Sequence, residues 1–117
     1  MDSFMQATLS ELMPSLAGAQ LAGDASRQFA GVSTDSRSAQ AGSLFVALRG
    51  ESFDAHDFLE QVAASGVAAV VVERLPANWD SSKVPAIVVA DTLLALGRIA
   101  NHWRGRFNLP VIGVTGS

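Results

Sequence analysis

Three stretches of this chain carry residues of types and spacings that could do chemistry. The first is its last: Val111-Ile112-Gly113-Val114 runs directly into Thr115-Gly116-Ser117. A buried strand entering a small turn with glycine is how phosphate-binding loops begin, because glycine lets backbone amides approach an anion closely. The same tripeptide also makes ordinary turns. The lysine and second glycine of a nucleotide motif are not among the 117 residues. The second stretch is Val32-Ser33-Thr34-Asp35-Ser36-Arg37. Its hydroxyls and carboxylate either bond their own backbone and hold a loop, or face a cleft and hydrogen-bond a small polar ligand through Ser36 and nearby amides. The third, Leu48 to Phe58, places an arginine, acids, a serine, aromatics and a histidine between a strand and a helix. Asp54, His56 and Asp57 read as capping and packing residues, since neighbours in a tight cap rarely converge on one metal ion and no second histidine is near.

The elements around these stretches alternate. Thr8-Leu9-Ser10-Glu11 has the form of a capping box, and a helix from Leu9 to about Ala17 follows, which Pro14 kinks or ends early. Gln20 to Gly23 and Gln28 to Val32 read as two strands joined tightly by a Gly-Asp turn. Ser43 to Leu48 is a strand, and a helix capped within Asp54 to Asp57 carries Phe58, Leu59, Val62 and Ala63 at helical spacing up to Gly66. Val67 to Val72 and Ala86 to Val89 are apolar throughout, the pattern of strands covered on both faces, with a surface loop from Leu75 to Pro85 between them. Asp91 caps a helix from Thr92 to about Arg106, in which Leu93, Leu96, Ala100 and Trp103 form an apolar stripe. The expected architecture is α/β: a small mixed sheet, parallel at its centre and antiparallel near the N-terminal hairpin, with helices packed on it. Asp91 is the preferred boundary, giving one unit over residues 1–90 and the first helix and strand of another over residues 91–117.

Composition narrows the function classes. Hydrophobic content of 49% with 16% charged residues is ample for a folded core. The formal charge of -3 and the scattered basic residues give no stripe for a phosphate backbone, so nucleic acid is not expected as a partner. No apolar run is long enough to span a bilayer and no leader-like N-terminus is present, which together with the lack of cysteine favours a cytoplasmic protein.

The order of motifs resembles the Mur ligases. The match runs through Thr34-Asp35-Ser36-Arg37, Gly42 to Gly50, Phe53 to Phe58, Asp91-Thr92 with its helix, and Val111 to Ser117, nearly the whole chain. The resemblance implies a three-domain enzyme of peptidoglycan-precursor synthesis, in which an N-terminal domain holds the uridine diphosphate end of the substrate and a central domain binds ATP. It further implies activation of a peptide carboxylate as an acyl phosphate, attacked by an incoming amine. Within the family, the Leu48 to Asp54 run and Ser117 favour the branch that joins D-alanyl-D-alanine to UDP-N-acetylmuramoyl-tripeptide, with the tripeptide-forming branch as near relative.

Carried over by position, Thr34 and Ser36 lie near the uracil and diphosphate, and Glu51, Ser52 and Phe53 line the same site. The near relative has a histidine, a glutamine and a small residue at these last three positions, and a carboxylate at Glu51 would be repelled by a diphosphate. Arg49 is a compensating cation by its chemistry, since guanidinium groups suit phosphates. Thr115, Gly116 and Ser117 would be the first edge of the ATP loop. ATP and Mg2+ would then serve the complete enzyme, with no cofactor, metal or catalytic residue expected within these 117 residues, and a monomer expected. A reading from another class is a free-standing interaction module whose Trp103 helix is the partner surface.

Overall fold

A computed structural model of the chain describes residues 6–16, 18–37, 39–50 and 54–107, the last five by backbone alone. The strands expected over 67–72 and 86–89 form as Ala69–Val72 (β6) and Ala86–Val88 (β7), and with Leu44–Val46 (β5) and Val32–Ser33 (β4) they make the parallel centre of a five-stranded sheet. Gln20–Ala22 (β2) completes it antiparallel to β7, so the order is β2-β7-β6-β5-β4. Alternate residues of β5 and β6 point to opposite faces, and both faces are buried. Leu44, Val46, Ala69 and Val71 meet one apolar cluster, Phe45, Val70 and Val72 the other. This is why the runs are apolar without alternation.

Two helical layers cover the sheet. On one face lie Leu9 and Leu12 of a one-turn helix, Leu9–Leu12 (α1), with Ala95 and Ile99 of the 16-residue helix Thr92–Phe107 (α3). Pro14 ends α1 early by turning the chain into a 3-10 turn at Met13–Ser15. On the other face lie Leu59 and Val62 of Leu59–Ala64 (α2), which continues a 3-10 turn at Ala55–Phe58. The first turns of α3 therefore pack in the same core as residues before 90, and His102 reaches Glu11 at 3.2 Å and Ser15 at 3.4 Å farther along.

Four local expectations are corrected. The expected hairpin over 20–32 does not form: Gly31, at φ +79°, ends the second run. Its first part, Gln28–Ala30 (β3), pairs with Gln6–Thr8 (β1) in a separate two-stranded sheet, while β2 pairs with β7. Runs of three residues gain more from burying Phe29 in the core and adding β2 to an open sheet edge than from pairing with each other. The Thr8 hydroxyl lies against Ser10 Oγ at 3.1 Å and caps no amide. The stripe on α3 has a different phase: Thr92, Ala95 and Ile99 are buried, while Leu93 is 68% exposed and Ala100 is exposed. Bonds at Thr92 described below turn that residue inward and so set the phase. Finally, the helix after Asp54 opens as a 3-10 turn, and Phe58 is 37% exposed. The strand expected at 111–114 and the side chain of Trp103 lie outside the described residues.

Candidate functional site at the carboxyl edge of the sheet

Parallel strands place all their carboxyl ends on one edge, where open α/β sheets bind ligands. Here that edge gathers the loop after β4 (Thr34 to Arg37), the loop after β5 (Arg49, Gly50), Glu73 and Arg74 after β6, and Asp91 with Thr92 after β7. The expected residues Thr34, Ser36 and Arg49 thus come to a common edge. Glu51, Ser52, Phe53, Thr115, Gly116 and Ser117 lie outside the described residues.

The loop after β4 holds itself together as its composition suggests. Asp35 Oδ1 accepts from the Arg37 amide at 2.9 Å and from Arg37 Nε at 3.3 Å, and these hydrogen bonds hold the Asp35 carboxyl below the usual range. Ser33 Oγ meets Ser43 Oγ at 3.0 Å, and Ser43 donates to the Gln40 carbonyl at 2.7 Å. Thr34 is exposed. Ser36 differs: it is only 5% exposed, yet its hydroxyl has no hydrogen-bond partner among the described residues. A buried hydroxyl without a partner costs about 1–3 kcal/mol, which a ligand oxygen or water can recover.

After β5, Arg49 is bridged to Asp54 and the Ala55 amide donates to the Leu48 carbonyl at 2.9 Å. Asp54 caps the following turn by accepting from the His56 amide at 2.9 Å. The His56 ring is buried between Asp54 Oδ1, 2.7 Å from its Nδ1, and the Glu73 amide, which donates to its Nε2 at 2.8 Å. Because Nε2 accepts, the neutral ring carries its proton on Nδ1 and donates it to Asp54. His56 and Asp54 thus cap and pack against their neighbours, and no group of three potential metal ligands occurs among the described residues. Burial pushes the Asp54 carboxyl up, but bonds from the His56 amide and ring and from Arg74 outweigh it and hold it at about 2. The folded chain thus binds this proton more weakly than the unfolded chain does. The resulting stability is complete above the ordinary value of 3.8 and is lost as pH falls through it toward about 2. Denaturant titrations across that window are expected to show Asp54→Asn losing less stability on acidification than the unaltered chain.

Arg49 Nε donates to Glu73 Oε1 at 2.8 Å. Glu73 Oε2 accepts from the Thr92 amide at 3.0 Å and the Thr92 hydroxyl at 3.2 Å, while Asp91 Oδ1 caps the Leu93 and Leu94 amides at 3.0 and 3.1 Å. Glu73 and Arg74 stand on this edge although no motif includes them, and Thr92, within the Asp91-Thr92 motif, is not singled out as a contact. Their signal was position: Glu73 directly follows the apolar run at 67–72, so parallel pairing alone puts it on the ligand-facing edge. Two cavities run from Asp91 along α3 past Leu94 and Arg98, and another lies beside Trp79. The strand-end edge, where the loops after four strands converge, is the better candidate. No described helix is long and apolar enough to cross a membrane.

With this geometry in hand, comparison with known proteins gives a consistent picture. A family model described as "Mur ligase family, catalytic domain" matches residues 28–104. The chain is 50% identical over 86 residues to the UDP-N-acetylmuramoyl-tripeptide--D-alanyl-D-alanine ligase of Synechocystis, covering 74% of this chain and 19% of that protein. It is 44% identical over 89 residues to the UDP-N-acetylmuramoyl-L-alanyl-D-glutamate--2,6-diaminopimelate ligase of Aquifex aeolicus, covering 74% and 18%. Among solved structures, MurF of Acinetobacter baumannii superposes with a TM-score of 0.73 at 36% identity, over 86% of this chain and 21% of that one. The chain spans about a fifth of the length of these relatives.

Proposed function

The chain belongs to the Mur ligase family, and on that premise we propose that it supplies the recognition of the uridine diphosphate end of UDP-N-acetylmuramoyl-tripeptide in an ATP-dependent ligase that adds D-alanyl-D-alanine. Thr34, Ser36 and Arg49 contact the nucleotide, together with Glu51, Ser52 and Phe53. Residues 1–90 form the substrate-holding unit, and residues 91–117 lead into an ATP-binding domain whose phosphate loop starts at Thr115, Gly116 and Ser117. α3 packs on the first unit while leading toward the second. ATP, Mg2+ and bond formation belong to the parts of the relatives beyond the fifth that this chain spans, and the complete enzyme works as a cytoplasmic monomer.

One observation carries this reading. The parallel strand ends bring a buried Ser36 hydroxyl, without a hydrogen-bond partner among the described residues, and the exposed guanidinium of Arg49 to the same edge, a neutral donor and a cation suited to a sugar-linked diphosphate. The tripeptide-forming branch is the second reading, favoured by the match to the Aquifex aeolicus ligase. It shares the nucleotide site and differs in the peptide end. Calorimetric titration of the folded chain with UDP-N-acetylmuramoyl-tripeptide and with UDP is expected to give saturable binding of both. No heat at millimolar ligand would overturn the proposal.

A further inference from the structure

Glu73 sits where three parts of the site meet, and motif reasoning gives it no part in the site. Its side chain is 15% exposed, and its two oxygens divide their work: one receives Arg49 Nε, the other receives the amide and hydroxyl of Thr92 in the first turn of α3. Burial opposes its charge, but the Thr92 amide and the Arg49 guanidinium hold its carboxyl below the usual range, so it is an anion at neutral pH. Its own amide is fixed by His56 Nε2. A carboxylate held on so many sides scarcely moves.

The bond to Arg49 uses only Nε, and neither Nη nitrogen has a protein partner among the described residues. An arginine gripped at Nε keeps the edge between its two Nη groups free, and that edge pairs with phosphate oxygens in bidentate fashion. Unrestrained, the same side chain would lose rotamer freedom on binding.

We propose that Glu73 is a positioning residue for nucleoside diphosphate binding: it fixes the Arg49 guanidinium with its free edge toward the diphosphate. The inference rests on the reading of Arg49 as a diphosphate contact. Its own negative charge does little harm to an anionic ligand, because Arg49 and the N-terminal amide of α3 both neutralise it.

A double-mutant cycle read by calorimetry, with UDP and uridine as probes, separates the two ideas. Glu73→Ala is expected to weaken UDP binding about fivefold, as expected for losing one preordered side chain, and to leave uridine unaffected. In an Arg49→Ala background it should weaken UDP no further. Unchanged or tighter UDP binding, an equal loss on top of Arg49→Ala, or a parallel loss for uridine would overturn the positioning role. If Arg49→Ala alone leaves UDP binding intact, the reading of Arg49 is wrong and the inference goes with it. Should Glu73→Ala fail to fold by circular dichroism, Glu73→Gln enters the same cycle, where it keeps one accepting oxygen and should show a smaller loss confined to UDP.

Discussion

Arg49→Ala is expected to weaken UDP binding about ten- to thirtyfold at low salt, because a hydrogen bond to a charged partner contributes about 1.5–3 kcal/mol and this one lies toward solvent. The Arg49 side chain is 54% exposed, which places the effect in the lower part of that range and makes it shrink as salt rises. Arg74 provides the control. It stands on the same edge, but its Nη2 is engaged by Asp54 at 3.0 Å, so Arg74→Ala should alter UDP binding by less than about threefold. Folding should be nearly untouched by the Arg49 change, since an exposed ion pair stabilises by only about 0–1 kcal/mol. Titrations of both variants at two salt concentrations check the contrast.

The largest effect on stability is expected from Gly23→Ala. Gly23 has φ +110°, and a Cβ there would lie 2.6 Å from the Ser81 carbonyl oxygen and 2.8 and 2.9 Å from Pro85 Cβ and Cα. None of these atoms is the end of a flexible side chain, so the backbone or the ring must shift. Overpacking of this kind costs about 1–3 kcal/mol, and a left-handed conformation for a residue with a Cβ adds about 1–2 kcal/mol. The expected loss is about 2–5 kcal/mol, or on the order of 10–20 °C in melting temperature. Gly42→Ala is the matched comparison: its φ of +81° is also left-handed, but nothing lies within 4 Å of the new Cβ, so only the conformational cost of about 1–2 kcal/mol remains. Thermal melts of the two variants should differ clearly. Because Gly23 follows β2, at the opposite side of the sheet from β4, the folded fraction should bind UDP as before.

These expectations also show what sequence patterns could and could not reveal. The strands at 69–72 and 86–88 and the Asp91 cap were legible because their signals are local: continuous apolar runs, and a carboxylate one residue ahead of a helix. Partner choice was not. Gln20–Ala22 and Gln28–Ala30 look like a hairpin from their turn, yet each lies against a strand far away in the chain, and only the burial of Phe29 and the open edge of β7 decide that. The phase of α3 was likewise hidden, since apolar residues at 93, 94, 95, 96, 99 and 100 fit more than one stripe, and Glu73, distant in sequence, selects among them through Thr92. At the candidate site, Ser36 and Arg49 stood out by residue type and motif order. Glu73 and Arg74 did not, because their relevance comes from the sheet edge that parallel pairing builds.

The claim that this edge receives the nucleotide is tested most directly by following backbone amide chemical shifts of isotope-labelled protein during titration with UDP. Shifts should concentrate at 33–37, 47–54, 73–74 and 91–93, and leave the amides of β2 and of the loop beside Trp79 in place. Saturating shifts confined to the outer face of α3 or to the Trp79 groove, with the strand-end loops unmoved, would contradict it.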